Sequence, residues 1–166
     1  MSLVGGFGFT ERMAGQYTGR APGFPGGAFR FEVEFECRDL GASVREVVGS
    51  AEGRLTMDGV AEAVAATGTM TLSPFWKRRI GYELRFVAPG GRRFCFAGTK
   101  KINWLRPLSS WTTLPGTVTD EDSGEVVADV VARFDMRKEL GAFLRSYRLT
   151  AARGAERERG AEPEHA

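Results

Sequence analysis

The chain has a single histidine, His165, placed next to last. A Ser-His-Asp or Cys-His mechanism needs a base held in a packed site, and histidine-ligated haem needs an axial imidazole. Both chemistries are excluded. Cysteine is almost as scarce. Cys37 and Cys95 fall short of a zinc set, and each lies in a strand-like pattern, where a free thiol is expected to act as a small buried hydrophobe. No stretch approaches the roughly 20 apolar residues of a membrane span. The opening Met1-Ser2-Leu3-Val4-Gly5-Gly6 lacks the basic start and apolar run of a signal peptide, so residence in the cytoplasm is the default expectation. Neither sign of charge dominates: 23 basic and 21 acidic residues are interspersed for a net charge of +2. A nucleic-acid binder would cluster its Lys and Arg on one face. The glycine clusters Gly5-Gly6-Phe7-Gly8 and Gly23-Phe24-Pro25-Gly26-Gly27 do not join a strand to a helix in a βαβ unit. They match neither the dinucleotide fingerprint nor the phosphate loop. They read as loops, and no cofactor or metal is expected.

Large apolar side chains are what the sequence has. Its 166 residues suit one domain, and the hydrophobic fraction of 42% includes twelve Phe, three Trp and three Tyr. Each such ring can bury about 150–250 Å². The clearest pattern is Phe29, Phe31, Val33, Phe35 and Cys37 alternating with Arg30, Glu32, Glu34, Glu36 and Arg38. Period two over ten residues predicts a strand with one dry and one wet face, typical of antiparallel sheets.

Strand patterns recur on either side. Phe7 to Thr18 places Phe7, Phe9, Glu11, Met13, Gly15 and Tyr17 on one parity. Ser50–Met57 and Val60–Leu72 flank Asp58-Gly59, a dipeptide suited to a type I′ hairpin turn. Ile80–Val87 and Phe94–Thr99 flank Pro89-Gly90-Gly91. Trp111–Thr119 is interrupted by Pro115-Gly116, which predicts a bulge or an edge position, and Val126 to Phe134 follows the turn residues 120–124. Two segments have helical spacing: Asp39 to Val48, with Leu40, Val44, Val47 and Val48, and Met136–Tyr147, with Leu140, Phe143, Leu144 and Tyr147. The expected fold is therefore mainly β, an antiparallel barrel of about eight or nine strands with a short helix after the second strand and a C-terminal helix. The domain spans residues 7–149. The tail, residues 150–166, is too polar to fold alone. A barrel is preferred to a sandwich because closure removes edge strands.

Candidate functional residues follow from parity and chemistry. Glu11, Glu34 and Glu83 are the carboxylates within strands. Glu11 shares its parity with apolar neighbours and so is expected to face inward, where an unpaired carboxyl becomes a proton donor or acceptor near neutrality. The segment from Lys100 to Thr113 mixes cations, indoles and hydroxyls, which suits the mouth of a pocket as well as a structural corner. Lys77-Arg78-Arg79 beside Phe75 and Trp76 reads as a solvated turn or as a contact for a membrane surface or an acidic partner.

Three stretches resemble a known family. They are Phe9-Thr10-Glu11-Arg12-Met13-Ala14-Gly15, Arg79-Ile80-Gly81-Tyr82-Glu83-Leu84-Arg85-Phe86, and Gly98-Thr99-Lys100 with Trp111-Thr112-Thr113-Leu114. Together they are similar to an accessory β domain found beside glucose–methanol–choline oxidoreductases of the cholesterol-oxidase type in actinobacteria. The resemblance covers about residues 7–149 and has no flavin fingerprint in it. It implies a calycin- or lipocalin-like barrel, an actinobacterial setting, a flavin-dependent oxidoreductase as partner, and a link to sterol or lipid metabolism. It implies no catalytic residue.

Three functions remain open. The first is a module that binds a hydrophobic small molecule (a sterol, lipid or polyketide-like ligand), lined by Tyr17, Phe31, Phe35, Tyr82, Phe96, Trp104 and Trp111. The second is a cofactor-independent cyclase or isomerase of specialised metabolism, with Glu11 and Lys100 as catalytic groups. Positioning alone can supply about 7–11 kcal/mol of a barrier. The third is a protein–protein adaptor, which predicts a filled barrel and an exposed apolar patch.

Overall fold

The computed structural model describes residues 5–38 and 45–150. The alternating sequences form the strands β1 (Gly6–Gly19), β2 (Gly27–Cys37), β3 (Val47–Met57), β4 (Ala61–Ser73), β5 (Arg79–Val87) and β6 (Arg93–Lys101). A six-residue helix α1 (Pro107–Thr112) follows, then β7 (Thr113–Asp120), β8 (Val126–Arg133), helix α2 (Met136–Ser146) and a three-residue strand β9 (Arg148–Thr150). Each of β1 to β8 pairs antiparallel with its neighbour in sequence, and β1 pairs with both β2 and β8. The result is a closed eight-stranded barrel, with β9 added to the start of β1.

Closure puts the apolar parity inside. Phe29, Phe31, Val33, Phe35 and Cys37 of β2 are buried, while their neighbours Arg30, Glu32 and Glu34 are exposed. Rings from opposite walls meet. In a ring of eight, β2 and β6 are diametrically opposed, yet Phe29 and Phe96 lie 5.0 Å apart and Phe31 and Phe96 5.8 Å apart, centroid to centroid. Side chains therefore fill the waist of the barrel, one of the two outcomes open to eight strands. Two glycines allow the wall to bend tightly: a Cβ on Gly15 would sit 1.9 Å from the Val131 carbonyl oxygen, and one on Gly53 1.9 Å from that of Glu32.

The two ends differ. The hairpin turns β1–β2, β3–β4, β5–β6 and β7–β8 gather at one end. There Phe24 folds in against Phe94, 5.7 Å away and edge-on, beneath the Arg92 guanidinium. Arg92 in turn bonds Asp120 at 2.6 Å. At the other end lie the longer connections, α1 and α2.

Several expectations need correction. The predicted helix over Asp39 to Val48 falls mostly on residues 39–44, outside the described residues, and Val47 and Val48 open β3 instead. At Asp58-Gly59 only Gly59 has positive φ, 73°, so the turn is not type I′. The register shift between Leu55 and Met57 absorbs the difference. Of the two readings at Pro115-Gly116 the edge position holds and the bulge does not: Pro115 pairs with Val131 of β8 but has no partner in β6, whose ladder ends at Gly116, and the irregularity falls between Val118 and Thr119. Cys95 is half-exposed on the outer wall, whereas Cys37 is buried. In the C-terminal helical segment, Leu140 and Phe143 lie outside the described side chains. Leu144 is exposed, so it does not pack on the barrel as its spacing predicts.

Candidate functional site

Inside the barrel, toward the helical end, three polar side chains converge. Glu11 projects from β1 on the parity of Phe9 and Met13, and Lys100 from β6 on that of Phe94 and Phe96. Tyr82 projects from β5, directly opposite β1 in the ring. The Lys100 Nζ donates to Glu11 Oε1 at 2.5 Å, and the Tyr82 hydroxyl donates to Glu11 Oε2 at 2.8 Å. The Lys100 ammonium also lies 5.1 Å from the Tyr82 ring centroid, a cation–π distance. Glu11 is 6% exposed and Lys100 3%. Burial, reinforced by the Glu11 charge and hydrogen bond, pushes the Tyr82 phenol well above its ordinary value. It therefore keeps its proton and serves as a donor. Each Glu11 oxygen thus accepts from one buried donor.

The wall beside Glu11 is unusual. On the edge of β1 away from β2, β9 covers residues 6–8 and β8 covers residues 14–19. Residues 9–13 have no strand there. The C-terminal end of α2 lies over this gap: Ser146 Oγ accepts from the Thr10 amide at 2.8 Å and donates to the Thr10 carbonyl at 3.4 Å. Tyr147, just after α2, lays its ring on Phe7 (5.7 Å) and Phe9 (6.3 Å). The polar cluster thus sits behind a seam closed by a helix instead of a strand.

The other candidate residues scatter. Phe31 and Phe96 adjoin the cluster, with Phe31 6.1 Å from Tyr82. Phe35 joins Phe7 and Phe9 beneath Tyr147. Tyr17 stands at the hairpin end, its hydroxyl donating to the Asp58 carbonyl at 2.5 Å. Burial raises its phenol too. Trp104 and Trp111 lie at the outer rim of the helical end, edge to face at 5.8 Å. Glu34 pairs with Arg148 and Glu83 with Arg85, both outside. Burial and then the Glu83 charge raise the Cys95 thiol, which disfavours the reactive thiolate. Among the described residues no group of His, Cys, Asp or Glu is placed to hold a metal ion. Helical spacing points to Tyr147 as a residue packing on the barrel, which it is, but not to its place over the seam; nothing in the sequence points to Ser146, since nothing local marks where β8 stops pairing. A shallow groove of about 540 Å³ crosses the outer wall over β4 to β7, lined by Thr69, Thr71, Glu83, Thr99, Lys101 and Thr117 among others. It does not reach the cluster's charged groups. Compared with family models, curated proteins and solved structures, the chain finds no match.

Proposed function

We propose that this barrel is a binding module for a hydrophobic small molecule of sterol, lipid or polyketide-like class, admitted beneath α2 and read by Glu11, Lys100 and Tyr82. The cluster is the observation that carries the reading. An ion pair in an apolar interior adds little stability, because desolvation offsets the attraction. A lone hydroxyl or carbonyl on an apolar ligand, by contrast, needs such partners for orientation. The ligand's polar group would replace one donor on Glu11, and its apolar body would take the volume now held by Phe7, Phe9 and Tyr147. The resemblance in the sequence adds a partner of its own, a flavin-dependent oxidoreductase to which the barrel would be accessory.

Thermal-shift and native mass-spectrometric screening against sterols and fatty acids tests this. A ligand at a hundred times its Kd adds about 2.7 kcal/mol of stability, and Glu11→Gln with Lys100→Met should abolish the shift. A panel that yields neither adduct nor shift would remove the proposal. A second reading, the protein–protein adaptor, is favoured by the Phe29–Phe96 and Phe31–Phe96 contacts that fill the waist. It predicts that an oxidoreductase co-purifies with a barrel that binds no small molecule.

A further inference from the structure

At the helical end, two connections bring exposed aromatic and apolar side chains together. Phe75 and Trp76 come from residues 74–78, between β4 and β5. Trp104 and Leu105 come from the connection before α1. Phe75 stacks on Trp104 at 5.6 Å, Trp104 meets Trp111 at 5.8 Å, and the Arg45 guanidinium lies 4.7 Å from the Trp76 ring. Exposure reaches 73% at Phe75 and 92% at Leu105. Leu105 is held out, not merely loose: Asn103 accepts from the Arg106 amide at 3.0 Å and, through its side chain, from the Leu105 amide at 2.9 Å. All three tryptophans of the chain, Trp76, Trp104 and Trp111, belong to this rim.

The charges around the rim are one-sided. At the hairpin end three exposed cations find an acid: Arg20 bonds Asp129, Arg92 bonds Asp120, and Arg93 bonds Asp122. At the helical end Lys77 pairs with Glu46, but among the described residues no carboxylate pairs with Arg78, Arg79 or Lys101. Arg79 and Lys101 even stand directly opposite each other in the β5–β6 ladder. Like charges in that position are destabilising, so an external anion would relieve them.

We infer that this rim docks onto an anionic lipid bilayer, with Leu105, Phe75, Trp76 and Trp104 entering the headgroup boundary and Arg78, Arg79 and Lys101 meeting lipid phosphates. Apolar and indole groups ringed by cations are the composition that binds such an interface. The mode is peripheral, because the outer wall carries exposed Arg30, Glu32, Glu52 and Arg54, where a spanning barrel would be apolar. Docking does not depend on a ligand in the lumen.

Co-sedimentation of the full chain with vesicles tests it, comparing phosphatidylcholine alone with phosphatidylcholine containing phosphatidylglycerol. The expected result is binding to the second only, weakened by salt, with a blue shift of tryptophan emission. Each cation lost near an anionic surface weakens binding about fivefold, so Arg79→Glu with Lys101→Glu should reduce it by at least about 25-fold. Leu105→Ser should weaken binding and the blue shift while leaving the melting curve unchanged. Absence of sedimentation with both vesicles overturns the inference. So does binding that neither variant alters, or equal binding to polyglutamate, which would make the rim a site for acidic polypeptides.

Discussion

Glu11 and Lys100 neutralise each other at 2.5 Å inside a lumen otherwise walled by aromatic and aliphatic side chains. Removing one partner strands the other. Glu11→Ala or Lys100→Met should each cost about 3–5 kcal/mol, the penalty of an uncompensated buried charge. Replacing both by Met, with Tyr82→Phe to avoid an orphaned phenol, should restore stability to wild type or raise it by about 1–4 kcal/mol. Urea denaturation measures all three. A triple variant as unstable as either single one would show that the cluster braces the barrel, and would weaken its assignment as a ligand-reading group.

The waist makes a different prediction. Phe96 is fully buried and touches rings from the opposite wall. Phe96→Ala should therefore cost about 3–5 kcal/mol. Phe75→Ala, at the exposed rim, should stay within about 0.5 kcal/mol of wild type. Comparable losses at the two positions would contradict the separation of core from docking surface.

Much of this was legible in the sequence, and the failures have physical causes. The ten residues from Phe29 to Arg38 alternate without exception, and parity alone turned Glu11 inward. The same logic applied from Phe94 onward puts Lys100 inside. Their meeting with Tyr82 was not legible, because it depends on ring closure bringing β1 opposite β5, and no local pattern encodes closure. Val47 and Val48 fit helical spacing as well as the start of a strand, so the pattern alone predicts a β3 shorter than the one formed. Helix α1 is six residues long and β9 three, too short for any period to show. The rim was half legible: Phe75, Trp76 and Lys77-Arg78-Arg79 stood out as a run. The stacking of Phe75 on Trp104, 29 positions away, required the fold.

Acid should expose the role of the hairpin end. The hydrogen bond from Arg92, then the amide of Asp122, hold the Asp120 carboxyl below its usual range. A depressed folded pKa means that the unfolded chain binds the proton more readily. The stabilisation is present above the unfolded value of about 3.9 and fades as pH falls through the lower folded value. Asp120→Asn should therefore melt below wild type at neutral pH, and the two curves should converge at strongly acid pH. A gap that stays constant with pH would mean that Asp120 acts through its shape, not its charge.

The alkaline limb belongs to Tyr82. Its phenol is raised by burial first and by the Glu11 charge second, so between the unfolded value of about 10 and the higher folded value the native chain holds a proton that the unfolded chain has lost. The slope of stability with pH is negative in that window. Tyr82→Phe removes the group from both states. Near neutrality it should cost about 1–3 kcal/mol, since Glu11 loses a buried donor. Above pH of about 10 the wild type should lose stability faster than the variant, and the difference between them should shrink. Following the melting temperature of both proteins across this range isolates Tyr82 from the two other tyrosines, which are common to each. Parallel curves would show that the phenol ionises as freely inside the barrel as in water, which a hydrogen bond to a buried carboxylate forbids.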